Sequence, residues 1–276
     1  MPILPTAGGI FLMEPMRLLL RVGLAAALQA CLLPSASAQW QGSIGVSGRG
    51  VVHAEYDTAG HRVVRETGWL PGIALAASYQ TGNVTLFGGA DWYRDDIAYR
   101  GQTQAGVAAN SRTATTLGAV RLGAAYAWGG GYALRAALEL DRWQRDIAGT
   151  GRSVGLQETY RSARLIAGVG KTWQPGFGVL GADAAVVLST PERMHVAFSG
   201  VIDPVSLDTK RGHGVRLGAS LRPAFAPRLE LRGSVDWIKV PRSDAVALNA
   251  NNPFLGTVAQ PEHTRQALSL TVAALF

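Results

Sequence analysis

The chain has 276 residues, with 26 lysines and arginines against 19 acidic residues, and it contains a single cysteine. Its length fits one all-β domain, and a lone cysteine excludes a disulfide framework within the chain. The net charge of +7 would suit a nucleic-acid partner, but the export signal described next argues against one.

The N-terminus has the three parts of a bacterial secretion signal. A basic segment begins at Met16, an apolar stretch covers residues 22–33, and residues 36–38 (Ala-Ser-Ala) supply a small-residue cleavage site. We therefore expect residues 1–38, or a shorter form starting at Met16, to be a signal peptide that is removed before Gln39.

The single cysteine, Cys31, lies inside this segment. The residues that end there (Leu-Gln-Ala-Cys) faintly resemble a lipoprotein processing site, which is the lesser alternative because the apolar run continues to a cleaner cleavage site. Cleavage before Gln39 would leave no thiol, so cysteine nucleophiles and cysteine-based metal sites are not expected.

Beyond residue 38 the chain alternates with a period of two. Between Arg265 and Phe276, small or polar residues alternate with apolar ones such as Leu268 and Leu270. Such alternation predicts strands with one face in each of two environments. A soluble sandwich would alternate too, but the absence of a long apolar run argues against membrane helices.

Turn residues divide the chain into a regular rhythm of short and long connections. The short ones fall at 81–83, 129–131, 175–178 and 226–228, and the long ones at 57–66, 100–112, 146–158, 190–212 and 243–262. Strict alternation of this kind is typical of transmembrane β-barrels. We therefore predict an all-β, up-and-down antiparallel barrel over residues 39–276. Its ten strands are expected at 40–56, 67–80, 84–99, 113–128, 132–146, 159–174, 179–190, 213–225, 229–242 and 263–276.

The aromatic residues form two groups along these strands. The first lies beside the short turns: Tyr79, Tyr126, Trp128, Tyr132, Trp173, Phe177 and Phe225. The second lies about one bilayer crossing away: Trp69, Trp92, Trp143, Tyr160 and Trp237. Aromatic girdles at both headgroup levels are typical of membrane barrels, whereas a sandwich buries its tryptophans centrally.

The last strand ends in a terminal aromatic residue, Phe276, after alternating apolar positions. In this feature, the secretion signal and the hairpin rhythm, the chain resembles the bacterial outer-membrane β-barrel proteins, without matching one named family. The resemblance implies a Gram-negative outer-membrane location and the barrel assembly machinery as a partner. It fixes no oligomeric state.

One face of the predicted strands carries charged residues, which we assign to the lumen. The inward basic residues are Arg49, Arg121, Arg135, Arg164, Arg216, Arg222, Arg232 and Arg265. The inward acidic residues are Glu55, Asp91, Asp95, Glu139, Asp141, Asp183, Glu230 and Asp236. Opposite charges in a narrow barrel predict a lumen plugged by ion pairs, and the alternative is a selective or gated pore.

An Asp precedes an outward tryptophan in a repeated pattern. It occurs as Asp91-Trp92 and Asp236-Trp237, and nearly so as Asp141 with Trp143. We interpret the pattern as an inward Asp beside a girdle Trp rather than as a ligand site.

The remaining basic excess lies mostly in loops and on the outer rim, at Arg100, Arg112, Arg152, Arg161, Lys210 and Arg211 among others. Lipopolysaccharide presents phosphates at that height, and arginine binds phosphate through charge-assisted hydrogen bonds. We therefore expect outer-membrane lipid and lipopolysaccharide, rather than nucleic acid, as partners.

Two kinds of outer-membrane enzyme are the catalytic alternatives for this chain. The omptin proteases are also ten-stranded, and the candidates corresponding to their acidic and Asp/His pairs would be Asp95, Asp96, Asp208 and His213. The spacing differs from theirs, because Asp95 and Asp96 are adjacent and point to opposite faces. A lipid A deacylase would need a histidine near a serine, and His53, His61, His195, His213 and His263 show no such spacing.

No carboxylate loop for calcium and no histidine pair for zinc occurs, so no metal or cofactor is expected. The leading hypothesis is a non-enzymatic barrel of the cell envelope with a structural or surface-interaction role. The alternatives are a porin-like channel for small solutes and an omptin-like protease or lipid A-modifying enzyme.

Overall fold

The computed structural model describes residues 39–102, 107–149, 155–198, 202–248 and 256–276. The predicted signal peptide lies outside these residues. In the described part of the chain, no helix is long and apolar enough to span a membrane.

Ten long antiparallel strands close into a barrel. They are β1 (Gln39–Tyr56), β2 (Arg62–Thr81), β3 (Val84–Gln102), β4 (Ala108–Gly129), β5 (Tyr132–Ile147), β6 (Leu156–Trp173), β7 (Gly178–Ala197), β8 (Val205–Pro223), β9 (Leu229–Val240) and β12 (Glu262–Leu275). Two-residue strands, β10 (Val246–Ala247) and β11 (Thr257–Val258), pair between β9 and β12. Strands adjacent in sequence pair around the barrel, and β12 pairs with β1 to close it. The predicted ten-stranded antiparallel barrel is confirmed.

The hydrogen-bond register tilts the strands. Gly42 on β1 pairs with a residue of β2, which pairs with a residue of β3, and so on around the barrel. Followed through all ten strands, this path returns to β1 at Ala54, twelve residues beyond Gly42. An offset of this size in a ten-stranded barrel corresponds to a strand tilt of about 40°. The interior is therefore narrow enough for long side chains to meet across it.

The two ends of the barrel differ. Four tight connections lie at one end, which we call the turn end, together with the start of β1 and the end of β12. Gly82 and Gly130 adopt positive φ angles of 55° and 60° there, a conformation that glycine tolerates. The longer connections lie at the opposite end, which we call the loop end.

Several strands extend farther toward the loop end than predicted. β7 continues to Ala197 and pairs with β8 from Val205, where a long loop over 190–212 was expected. Proline normally interrupts strand pairing, and the register indeed shifts at Pro191, but the ladder resumes beyond the bulge. The loop-end segments lack apolar alternation because they need no lipid-facing side, so the sequence pattern did not reveal them.

The outer surface carries an apolar band. Leu122, Leu138, Leu165 and Leu188 lie side by side in one row across β4 to β7, and all four are exposed. Soluble monomers rarely expose contiguous apolar surface of this kind. Predicted girdle residues that are also exposed on this surface are Trp69, Trp92, Tyr126, Trp128, Tyr132, Trp173, Phe177, Phe225 and Trp237. Tyr79 is partly exposed and packs against Trp40. This exterior suits contact with lipid.

Two predicted girdle residues lie inside the barrel instead. Trp143 and Tyr160 are only 4% and 1% exposed. Distance from a turn gives the height of a residue but not its face, and the alternation on β5 gives Trp143 the same inward direction as Asp141. The interpretation of an inward Asp beside an outward Trp therefore fails for this pair, whereas Trp92 and Trp237 are exposed.

A hydrogen-bonded turn shortens the connection between β1 and β2. The backbone N–H groups of His61 and Ala59 donate to the carboxylate of Asp57, at 2.8 and 2.9 Å. These hydrogen bonds, with that from His61 the strongest influence, hold the pKa of Asp57 below its ordinary value.

Candidate functional site in the lumen

The centre of the lumen is organised around one glutamate, Glu139 on β5. Its carboxylate lies 2.9 Å from Arg216, 3.3 Å from Arg164 and 3.4 Å from Arg121. These arginines come from β8, β6 and β4, so Glu139 connects four strands. A buried carboxylate is stable only when it is paired and hydrogen-bonded, and three guanidinium groups meet that requirement.

A second carboxylate, Asp236 on β9, extends this network toward β1. It accepts hydrogen bonds from Arg216 at 2.5 Å and from Arg49 at 2.9 Å. Arg49 also donates to the hydroxyl of Ser269 on β12 at 2.8 Å. The first and last strands are thus joined by side chains as well as by their backbone ladder.

A third branch leads from the centre toward the loop end. Asp141 lies 2.8 Å from Arg164 and 3.3 Å from Arg265. Arg265 also binds Glu192 at 2.7 Å, and Glu192 lies 3.1 Å from the ring of His263. Alternating charges therefore run without a break from mid-barrel to the loop end.

The loop-end half is closed around one arginine, Arg145 on β5, whose side chain is 1% exposed. Its guanidinium lies 3.1 Å from Glu55, 3.0 Å from Glu66 and 2.6 Å from Glu158. It also donates to the hydroxyl of Tyr160 at 3.1 Å. These contacts come from β1, β2 and β6, so they cross the lumen in several directions.

Polar and aromatic side chains surround this arginine. Thr113 donates to Glu66 at 2.5 Å, and the ring of His53 lies 3.0 Å from Glu55. Trp143 stacks against Tyr160 with ring centroids 5.1 Å apart.

Two arginines also lie over the Trp143 ring, with Arg145 at 5.0 Å and Arg265 at 4.3 Å from its centroid, distances typical of cation–π contacts. We call the interior group that closes this half the loop-end plug, and its members are Glu55, Glu66, Trp143, Arg145, Glu158 and Tyr160.

The turn-end half is hollow by comparison. A cavity of about 400 Å³ is lined there mainly by small residues and a few arginines. Arg135 and Asp183 lie 3.3 Å apart and remain partly exposed, and Arg232 donates to Glu230 at 2.5 Å. The ion pairs of this half are therefore open to water.

The structure gives an ion-pair partner to each charged residue predicted in the lumen except Asp95. The ladder between β2 and β3 is interrupted between the pairs Gly72–Tyr93 and Thr67–Ala98. Asp95 lies in that interval, is exposed, and accepts a hydrogen bond from the N–H of Asp96.

Sequence reasoning missed several interior residues, namely His53, Glu66, Arg145, Glu158, Glu192 and His263. Arg145 continues the inward alternation of Glu139 and Asp141, so its position could have been found by extending β5. Glu66 and Glu158 fell at the edges of expected loops, and Glu192 lies just past the bulge at Pro191.

The candidate enzyme residues do not come together in the lumen. Asp95 and Asp96 are exposed on β3, whereas Asp208 and His213 are exposed on the outer face of β8. The ring of His195 lies 3.1 Å from the Ser206 hydroxyl, also in an exposed position. Among the residues with described positions, no group of three His, Cys, Asp or Glu side chains could hold a metal ion.

Comparison with known proteins identifies the fold. No family model and no curated protein matches the chain. Among solved structures it is similar to the outer membrane protease OmpT from Escherichia coli, with a TM-score of 0.56, 10% identity, and coverage of 87% of this chain and 98% of that one. It is also similar to the translocator domain of the autotransporter NalP from Neisseria meningitidis, with a TM-score of 0.47, 10% identity, and coverage of 96% and 99%.

The likeness to OmpT concerns the fold. Together with the closed barrel, the apolar exterior and the charged interior, it identifies the chain as a bacterial outer-membrane β-barrel. Barrels of this type place their short turns in the periplasm and their longer loops outside. On this pattern we expect the turn end to face the periplasm and the loop-end plug to face the surroundings of the cell.

Proposed function

We propose that this protein is a closed, non-enzymatic barrel of the outer membrane with a structural or surface-interaction role. The observation that carries the proposal is the fully buried guanidinium of Arg145, held between Glu55, Glu66 and Glu158. A solute crossing the lumen would have to separate these charges.

The energetic argument rests on desolvation. A buried ion whose partner is removed costs about 3–5 kcal/mol, so a spontaneous opening that separates several such pairs is rare. The Trp143 and Tyr160 rings fill the space beside the charges and leave no wide polar path. The loops at the outer end are then the surface available to partners.

Single-channel recording in planar bilayers tests the proposal. The refolded protein should give no steady unit conductance, and steady ion-selective steps would instead support the channel alternative. A positive control comes from the double variant Trp143→Ala/Tyr160→Ala, which should conduct because it removes the two rings that fill the space beside the charges of Arg145.

The chain offers a matched control for this variant. Trp128 and Tyr132 form a second stacked pair, with centroids 5.8 Å apart, but on the outer surface near the turn end. Trp128→Ala/Tyr132→Ala removes the same two ring types and should leave the barrel closed. Equal conductance in both variants would contradict a closing role for the interior pair.

The enzymatic alternative needs its own assay. Purified protein should neither cleave peptides after basic residues nor release acyl chains from lipopolysaccharide. Activity that is present in the wild type and lost in Asp95→Ala or His213→Ala would overturn the non-enzymatic proposal.

A further inference from the structure

A row of three arginines crosses the outer surface of the barrel. Arg142 on β5 lies directly opposite Arg161 on β6, and Arg161 lies directly opposite Arg193 on β7. All three project from the outer face, and Arg142 and Arg193 are exposed. We call these residues the arginine row.

Such a row is unfavourable by itself. Like charges directly opposite each other on neighbouring strands destabilise a sheet. Asp208 lies 3.6 Å from Arg193 and compensates part of the charge, although both side chains are mostly exposed, at 61% and 76%. The row as a whole keeps a positive excess and suits an anionic ligand.

The height of the row identifies the kind of ligand. Arg142 lies four residues beyond Leu138 of the exposed leucine row on the same strand and face, or about 10 Å along the barrel axis. Ten residues, or about 25 Å, separate it from Tyr132 near the turn end, which matches the apolar band of outer-membrane barrels. The arginines therefore lie at the headgroup level of the outer leaflet.

The neighbouring strands complete a shallow recess beside the row, which lies slightly nearer the turn end because paired positions rise from strand to strand with the tilt. Gly118 on β4 pairs with Arg142 on one side and with Trp92 on the other. A Cβ added at Gly118 would come no closer than 3.9 Å to the Asp91 carbonyl, so the surface there is open. Trp92 is exposed, as expected of an aromatic residue at a membrane interface.

We propose that the arginine row, with the recess beside Trp92, binds the phosphorylated glucosamine headgroup of lipid A. Guanidinium groups bind phosphate through paired, charge-assisted hydrogen bonds, and lipid A carries phosphates at the height of the row. The exposed indole offers an apolar surface to the sugar and the first part of the acyl chains. This site does not depend on whether the lumen conducts.

Of the basic residues that the sequence analysis expected to contact lipopolysaccharide, the proposed site contains only Arg161. Arg100 lies eight residues beyond Trp92 on β3, too far out for the headgroups, and Arg112 is six residues beyond Gly118 on β4. Lys210 binds Asp244. Arg211 is exposed but does not share the row's register, and Arg152 lies outside the described residues.

The decisive variant is Arg142→Ala/Arg161→Ala, and the barrel contains a matched control. Arg65 and Arg100 also lie directly opposite each other on β2 and β3 and are exposed, but about 10–15 Å farther than Arg142 toward the loop end. Arg65→Ala/Arg100→Ala therefore removes the same charge without touching the headgroup level.

Each protein is refolded into phosphatidylcholine vesicles with and without diphosphoryl lipid A, and the denaturant midpoint is measured. Lipid A should raise the midpoint of the wild type and of the Arg65/Arg100 control, with a much smaller shift in the Arg142/Arg161 variant. A lipid A titration should show about a tenfold or greater loss of affinity in that variant.

Two further additives distinguish a specific lipid A site from general screening of the arginine charges by anions. Monophosphoryl lipid A should give a smaller shift than the diphosphoryl form, and inorganic phosphate added to micelles should give none. Equal responses of the two double variants, no response of the wild type, or an equal response to inorganic phosphate would each overturn the proposal.

Discussion

Arg145 and Glu139 lie six residues apart on the inward face of β5 and have opposite surroundings: three glutamates bind Arg145, and three arginines bind Glu139. Asp91, Asp141 and Asp236 balance the arginines around Glu139, whereas the layer around Arg145 contains more carboxylates than arginines. Because β5 supplies the central residue of both layers, it is the strand that organises the interior.

Glu139→Gln should lower the free energy of unfolding by about 3 kcal/mol or more, because it leaves Arg121, Arg164 and Arg216 without their shared buried anion. Equilibrium unfolding in denaturant with lipid vesicles measures the change. Glu262→Gln is the control, since its ion pair with Lys239 is partly exposed and should contribute less than about 1 kcal/mol. If Glu139→Gln and Glu262→Gln lowered the free energy of unfolding equally, burial of the Glu139 network would contribute no additional stability.

Arg145→Gln should be similarly damaging, because three glutamates then face each other without a cation. Adding Glu158→Gln removes one of the repelling charges and should restore part of the stability, whereas the same change in the wild type should be destabilising. A double-mutant cycle should therefore give a coupling energy of about 1 kcal/mol or more. If the effects of the two substitutions on the free energy of unfolding were strictly additive, a direct interaction between Arg145 and Glu158 would be contradicted.

Close packing of β2 on β3 can be tested at one glycine. A Cβ at Gly72 would lie 2.2 Å from the Trp92 carbonyl oxygen and 2.4 Å from the Tyr93 ring. Gly72→Ala should therefore cost about 1–3 kcal/mol. Gly118→Ala, also within a strand but with open space around the new methyl, should be neutral or slightly stabilising by comparison.

The inward position of Trp143 predicts a spectroscopic difference. In vesicles of brominated lipid, quenching should reach the outward Trp92 but not Trp143, which is shielded by the barrel wall. Trp143→Phe should then remove mainly unquenched fluorescence, and Trp92→Phe mainly quenched fluorescence. The reverse assignment would place Trp143 in the girdle and contradict the loop-end plug.

The architecture could be predicted because it depends on repeated local signals. Alternation along each strand and short turns at regular intervals are enough to indicate ten strands and their direction, since a barrel repeats one hairpin unit. The faces of individual residues were less secure. Trp143 was assigned by height alone, and the extra residue at the Pro191 bulge hid Glu192, because a shift of one position reverses the face.

The arrangement of sites depended on pairing that no single strand reveals. Arg142 and Arg193 are 51 positions apart in the chain, and only the register of β5, β6 and β7 brings them into one row with Arg161. The three partners of Arg145 likewise come from strands whose relative heights are set by the tilt. The arginine row and the partners of Arg145 therefore depend on how the strands pair around the closed barrel, which the sequence of a single strand does not specify.

The cavity at the turn end has a consequence for how the protein responds to its solvent. Water and small ions from the periplasm enter that hollow and reach pairs such as Arg135 with Asp183, whose attraction dissolved salt weakens. Beyond mid-barrel the side chain of Arg145 is almost fully buried, so dissolved salt screens its ion pairs much less. Within the lumen, ionic strength therefore acts mainly on the ion pairs of the turn end, and the charges around Arg145 respond far less.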